Sequence, residues 1–143
     1  MEPTTARRHT GHMRRWSRRL AMQAIYQWQM TGQESNEIDR QFHEEADLSK
    51  ADDDYFHSLL FGVVSHVEEL DGTLGSYMEK TIDYIDPVER AILRCACFEL
   101  VHRPDVPYKV VINEAVELTK KFGSEQGHKF VNGVLDKVAL GLR

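Results

Sequence analysis

Several residue types that would mark a protein class are scarce in this sequence. Cysteine occurs twice in 143 residues, as Cys95 and Cys97. Two positions apart, they cannot staple distant segments, and such usage fits a reducing, cytoplasmic compartment. No apolar run approaches the roughly 18 residues that span a bilayer. The arginines near the start are followed by no apolar stretch of signal-peptide type. Neither a membrane span nor a secretory leader is therefore expected. The nine glycines stand singly or as weak pairs, so no phosphate-cradling loop is formed. The spacing His-Glu-x-x-His is absent. On a helix, Cys95 and Cys97 point about 200° apart and cannot both face one ion. His43, His57, His66 and His102 have no partner at ligand spacing. No metal, cofactor or catalytic constellation is expected, and the carboxylates of Asp52, Asp53 and Asp54 are explained by a helix start.

What is present is enough for a packed domain. Apolar residues make up 41% of the chain and charged residues 29%. The length predicts a single domain over residues 14–143, preceded by a flexible basic arm over 1–13. The net charge of −5 conceals a strong asymmetry. Residues 1–19 carry +5, from six arginines against Glu2, whereas residues 34–54 carry −7. A basic end on an acidic body attracts a polyanion locally while the whole chain repels one.

Periodicity predicts helices throughout. Trp16, Leu20, Ala24, Ile25 and Trp28 form one stripe, closed by Thr31-Gly32. Ser35 is a candidate N-cap for a short helix with Ile38 and Phe42 inward. A longer helix starts at Asp52–Asp54 and runs to Leu70, and a further short one ends near Ile82. Asp86-Pro87-Val88-Glu89 combines an N-cap carboxylate, a first-turn proline and a following acid. Tyr108 to Phe122 reads as the next helix, and Ser124 as the cap of a last one. Within that last segment, Asn132-Gly133 is also a hairpin-turn signature, but the apolar spacing 130, 131, 134, 135, 138 is helical. About 1–1.5 kcal/mol is lost by placing Asn and Gly in a helix. A close helix crossing at Gly133 or a ligand at Asn132 would offset it. About seven helices and no convincing strand pair predict an all-α bundle.

Two regions draw attention. Arg14, Arg15, Arg18 and Arg19 crowd about one and a half turns near a helix N-terminus, where cations are unfavourable. A polyanion that screens them accounts for the crowding, and single-stranded RNA suits guanidinium and aromatic platforms. The second region, residues 125–132, mixes amide, cation and aromatic groups at a helix start that can take a phosphate.

These residues carry a resemblance. The pattern VPYKVVINEAVEL over 106–118, Phe122-Gly123, HKFVNGVLD over 128–136, and the amino-terminal RRWSR with AIYQWQ over 24–29 resemble the bacterial NusB family of transcription antitermination factors. The resemblance spans essentially residues 14–140. It implies an all-α fold of two packed three-helix bundles plus an extra helix, and a non-enzymatic role. It also implies partnership with the small-subunit ribosomal protein NusE, and binding of single-stranded boxA RNA by the pair. Other antitermination factors and RNA polymerase are then engaged indirectly, in support of rRNA transcription. It leaves room for a homodimer. By position it places Arg14, Arg15 and Arg18 on an RNA-contacting segment, with Arg19 and Tyr26 on the same helix. Gln126, Lys129, Phe130 and Asn132 fall on a second RNA-facing segment. Tyr77, Glu89, Arg90 and Arg94 fall on the NusE-facing region. Gln126 stands where relatives often carry an acid, and Arg19 where a base is not required. A protein-only module whose arginines meet an acidic partner is the second reading. An enzyme with convergent catalytic residues, or the detached front end of an RNA methyltransferase, is the third.

Overall fold

A computed structural model describes the backbone of residues 2–142 and the side chains of 11–142. Seven α-helices follow in order: α1 (Glu2–Thr31), α2 (Ser35–Glu45), α3 (Asp53–Ser65), α4 (Val67–Gly75), α5 (Pro87–His102), α6 (Tyr108–Phe122) and α7 (Gly127–Leu142). A 3₁₀ turn, Ile82–Tyr84, precedes α5. No strand occurs among the described residues. Helices α1, α2 and α3 pack on one another, as do α5, α6 and α7. Helix α4 bridges the halves, touching α3, α5 and α7, and α5 also meets α1. The buried apolar side chains form one cluster from Leu20 to Ala139.

Local chemistry sets the starts of α3 and α5 and the turn after α1. Asp52 accepts the Tyr55 N–H at the start of α3, and Asp86 accepts the N–H groups of Val88 and Glu89 at the start of α5. These carboxylates satisfy donors that a helix start otherwise leaves unpaired. After α1 the chain turns at Gly32, whose φ of 73° suits a residue without a Cβ.

Four local expectations are corrected. The backbone is helical from Glu2, and Pro3 falls in the first turn, where its missing N–H costs nothing. The side chains of residues 1–10 lie outside the described set. Glu34, not Ser35, is the N-cap of α2, and no side-chain cap bond forms. The helix expected to run from Asp52 to Leu70 breaks at His66 (φ −117°, ψ 19°), whose N–H is shared by the carbonyls of Gly62 and Val63. That bend lets Leu70 and Leu74 both bury against α5. The helix expected to reach Ile82 stops at Gly75, and only the 3₁₀ turn follows. Ser124 caps no helix by its side chain; it bonds Glu89 instead. In the last segment the helix prevails over the hairpin, because Val131, Val134, Leu135 and Val138 are all buried on one face. No close crossing occurs at Gly133: a Cβ there would meet nothing within 4 Å.

Candidate nucleic-acid interface

The four arginines of α1 have different fates. Arg14 is half-buried, with its guanidinium 4.4 Å from the Tyr55 ring centre and 4.0 Å from the Asp52 carboxylate. Arg15 is exposed, and its Nε donates to Glu114 Oε1 at 3.2 Å. Arg18 is only 5% exposed and donates from Nε and Nη2 to the Glu99 carboxylate. Arg18 therefore does not lie on the exposed side as expected. It shares the helix face of Met22 and Ile25, both buried, so its phase is that of the core stripe. The crowding also finds internal relief, since three of the four arginines approach a carboxylate of this chain.

Arg19 differs from the other three. Its guanidinium lies 5.0 Å from the Trp16 ring centre and 4.9 Å from that of Phe122. Trp16 itself packs partly on the core and carries Lys50 5.3 Å from its ring. Arg15 and Arg19 continue along α1 into the exposed residues Gln23, Tyr26 and Met30. At 100° per residue these five span about 80° of the helix surface. Gln23 and Met30 extend the ridge beyond what the sequence singled out; the helical phase of Arg15 was the available signal.

Between α1 and α6 runs a groove of about 480 Å³, lined by His12, Arg15, Trp16, Arg19, Glu114 and Lys121 among others. It ends where Arg19 covers Phe122, the last residue of α6. The chain then turns through Gly123 and Ser124. Ser124 donates its N–H (2.9 Å) and its hydroxyl (2.6 Å) to Glu89 Oε2. Gly127 presses against the same carboxylate, with no room for a Cβ. Glu89, expected on the NusE-facing region, is 5% exposed and anchors this corner.

Beyond the corner, Gln126, Lys129, Phe130 and Asn132 are all exposed. Lys129 and Phe130, with Gly133 and Lys137, form one wall of a cleft of about 550 Å³. Tyr77, Lys80 and Tyr84 form the other. Tyr77, expected on the NusE-facing side, is thus gathered with Lys129 and Phe130. Gln126 and Asn132 stand outside that lining. Tyr84, 80% exposed, was missed, because a lone aromatic after a short helix carries no sequence signal. Since Glu89 lines the cleft and also holds Ser124, the groove and the cleft adjoin one α6–α7 corner.

Two further expected partner residues turn inward. Arg94 is 7% exposed, donates twice to Asp71 (2.9 and 2.8 Å) and once to Gln29 Oε1 (3.0 Å). Helix α5 is surrounded by α1, α3, α4, α6 and α7, so every residue from 91 to 100 is buried, charged ones included. Arg90 is half-buried, 4.0 Å from Asp83. Burial raises the thiol of Cys97 to about 12 and pushes that of Cys95 up as well, which leaves both protonated and inert. Among the described residues no group of three His, Cys, Asp or Glu could hold a metal ion, and no helix is long and apolar enough to cross a membrane.

Comparison with known proteins places this arrangement in context. A profile of the NusB family matches residues 15–140. The transcription antitermination protein NusB of Pseudomonas savastanoi is 53% identical over 130 residues, covering 91% of this chain and 79% of its own. That of Teredinibacter turnerae is 53% identical, covering 94% and 92%. Among solved structures, T. maritima NusB superposes with a TM-score of 0.77 at 30% identity, over 89% of this chain and 90% of that one. A structure of antitermination factors NusB and NusE in complex with double-stranded RNA gives 0.80 at 30% identity, over 90% and 97%.

Proposed function

This chain belongs to the NusB family, and from that premise we propose that it is a cytoplasmic, non-enzymatic transcription antitermination factor. It binds single-stranded boxA RNA together with the ribosomal protein NusE. The pair then helps assemble the antitermination complex on RNA polymerase and so supports rRNA transcription. The observation that carries this reading is the cationic and aromatic surface on both sides of the α6–α7 corner. Arg15, Arg19, Lys121 and Tyr26 lie on one side, and Lys129, Phe130, Tyr77 and Tyr84 on the other. Guanidinium and ammonium groups attract phosphates, and exposed rings offer faces to unstacked bases. Gln126 and Asn132 supply amide donors and acceptors beside that surface. Arg14 and Arg18 act from behind it, by fixing α1 against α3 and α5 through Tyr55 and Glu99. The exposed Tyr84, with the half-buried Arg90 and the neighbouring Tyr77, is offered to NusE.

The body of the protein is acidic, so a basic partner raises affinity by extending the positive surface. Fluorescence anisotropy with a labelled boxA RNA tests the proposal, with this chain alone and with added NusE. The expected result is salt-sensitive binding that NusE tightens. Absence of binding under both conditions favours the protein-only module instead.

A further inference from the structure

We infer that Gly141 is a positioning residue for Tyr77: its missing side chain lets the tyrosine seat against the last turn of α7 in the orientation that NusE meets. The inference rests on the NusE-binding reading above and adds to it a residue outside the cleft lining. Tyr77 follows α4, with its N–H on the Leu74 carbonyl at 3.0 Å, and packs partly on the core. Its ring lines the cleft together with Tyr84, and its hydroxyl reaches α7. A Cβ placed on Gly141 would stand 2.5 Å from that hydroxyl oxygen and 3.7 Å from the ring carbon that bears it. Nonbonded heavy atoms rest at about 3.5–4.0 Å, so a methyl and the hydroxyl cannot share this space.

Gly133, Lys137 and Gly141 follow one another at intervals of four along α7, on one side of the helix. The two glycines differ in what a side chain would meet. At Gly133 it finds open space, whereas at Gly141 it meets the tyrosine. Glycine is a poor helix former, so neither residue serves α7 itself. At Gly141 the missing side chain makes the room that the Tyr77 hydroxyl occupies. A methyl there drives the hydroxyl back by about 1 Å, and the cleft of about 550 Å³ gives the ring somewhere to swing. In the free chain the displacement is easily absorbed. On binding, the ring must return against the methyl in a strained rotamer, or NusE must dock without it. The penalty therefore falls on affinity and not on folding.

The test is a double-mutant cycle on the full chain, with NusE affinity read by isothermal titration calorimetry. Gly141→Ala is expected to weaken NusE binding about two- to tenfold, the range set by one off-rotamer side chain. The urea midpoint of the free variant is expected to be no lower than that of the wild type. Tyr77→Phe removes the clashing oxygen and leaves the ring carbon at an ordinary contact distance. In that background Gly141→Ala is expected to leave affinity unchanged. Isotope labelling of the tyrosine rings, read by NMR, follows the seat directly. Gly141→Ala is expected to shift the Tyr77 signal in the free chain and to leave those of Tyr26, Tyr55 and Tyr108 in place. Equal losses of affinity in the two backgrounds overturn the inference, because the effect would not pass through the Tyr77 hydroxyl. So does wild-type affinity in Gly141→Ala, and so does a Tyr77 signal that stays where it was. If the unaltered chain fails to bind NusE, the partner reading itself fails. That result is distinct from the others, since the tyrosine signal still reports whether Gly141 seats Tyr77.

Discussion

Arg18 and Glu99, 81 positions apart in sequence, meet as a buried two-pronged pair, with Nη2 to Oε2 at 2.9 Å and Nε to Oε1 at 3.0 Å. The Tyr55 hydroxyl donates to the same carboxylate. Burial pulls the Arg18 pKa down, but the hydrogen bonds and charge of Glu99 outweigh it, and the net shift is upward. Burial and the Glu99 charge together push the Tyr55 hydroxyl up, so the phenol stays protonated as a donor. This pair ties the first helix of one half to the central helix of the other. Arg18→Ala leaves the carboxylate buried without its main counter-charge, which costs about 3–5 kcal/mol. Urea unfolding of the variant is expected to show that loss. Arg15→Ala, at an exposed position, is expected to leave the unfolding midpoint unchanged within about 0.5 kcal/mol while weakening RNA binding.

Gly133 offers a prediction with opposite signs for stability and binding. It lies inside α7, faces the cleft of Tyr77 and Tyr84, and has open space where a Cβ would stand. Gly133→Ala is therefore expected to stabilise the free chain by about 0.8–1 kcal/mol through helix propensity alone. If the open space serves close approach by a ligand, the added methyl weakens RNA binding with or without NusE. Denaturant melts and anisotropy on the same protein decide the matter. Gains in both quantities would show that nothing approaches Gly133.

What was legible in the sequence was whatever a single helix declares about itself. Asp86-Pro87 marked the start of α5 because the carboxylate and the proline act within one turn. The spacing of Val131, Val134, Leu135 and Val138 overrode a hairpin signature for the same local reason. Pairings across the fold were not legible. Periodicity gives a residue's phase on its own helix but says nothing of what the neighbouring helix brings, so neither the pairing of Arg94 with Asp71 nor that of Glu89 with Ser124 is visible in it. Helix α5 misled most, because a helix enclosed on all sides still shows an apolar stripe when it carries Glu89, Arg94 and Glu99 for internal bonds. In the candidate site, the exposure of Arg15 is legible from its helical phase, whereas the exposure of Phe130 and the anchoring roles of Arg18 and Glu89 are not.

His43 joins α2 to α3 through both ring nitrogens: Nδ1 donates to the Asp39 carbonyl at 2.8 Å and Nε2 to Asp53 Oδ1 at 2.7 Å. A neutral imidazole has one N–H, so both donations require the cation. The backbone bond to Asp39 leads in raising the pKa above 6.5, and the Asp53 bond and charge add to it against desolvation. Because the folded value is the higher, the stabilisation is complete below the ordinary value of 6.5 and fades as pH rises through the folded value. The contact is exposed, so a few tenths of a kcal/mol is expected. Thermal melts across that pH range should show a decline in the wild type that His43→Gln lacks. A parallel decline in both proteins would rule the histidine out as its source.

The contact between Arg15 and Glu114 makes a further demand on RNA binding. Glu114 lies in the groove beside the cations, and its Oε1 takes the Arg15 Nε at 3.2 Å. A phosphate that uses Arg15 must displace that carboxylate and then sit near its negative charge. Glu114→Gln removes the competitor while preserving size and a hydrogen-bonding oxygen. Exposed ion pairs contribute about 0–1 kcal/mol, so affinity for RNA is expected to rise by up to roughly fivefold. The salt slope should steepen by about 0.7 as one more cation becomes available to a phosphate. Glu117→Gln serves as the comparison: its partner is Lys120 at 3.6 Å on the same helix, and both side chains are well exposed, so a smaller effect is expected. Were Glu114→Gln to bind more weakly, the carboxylate would have to be holding Arg15 in the orientation the strand requires, and the competition argument would fail.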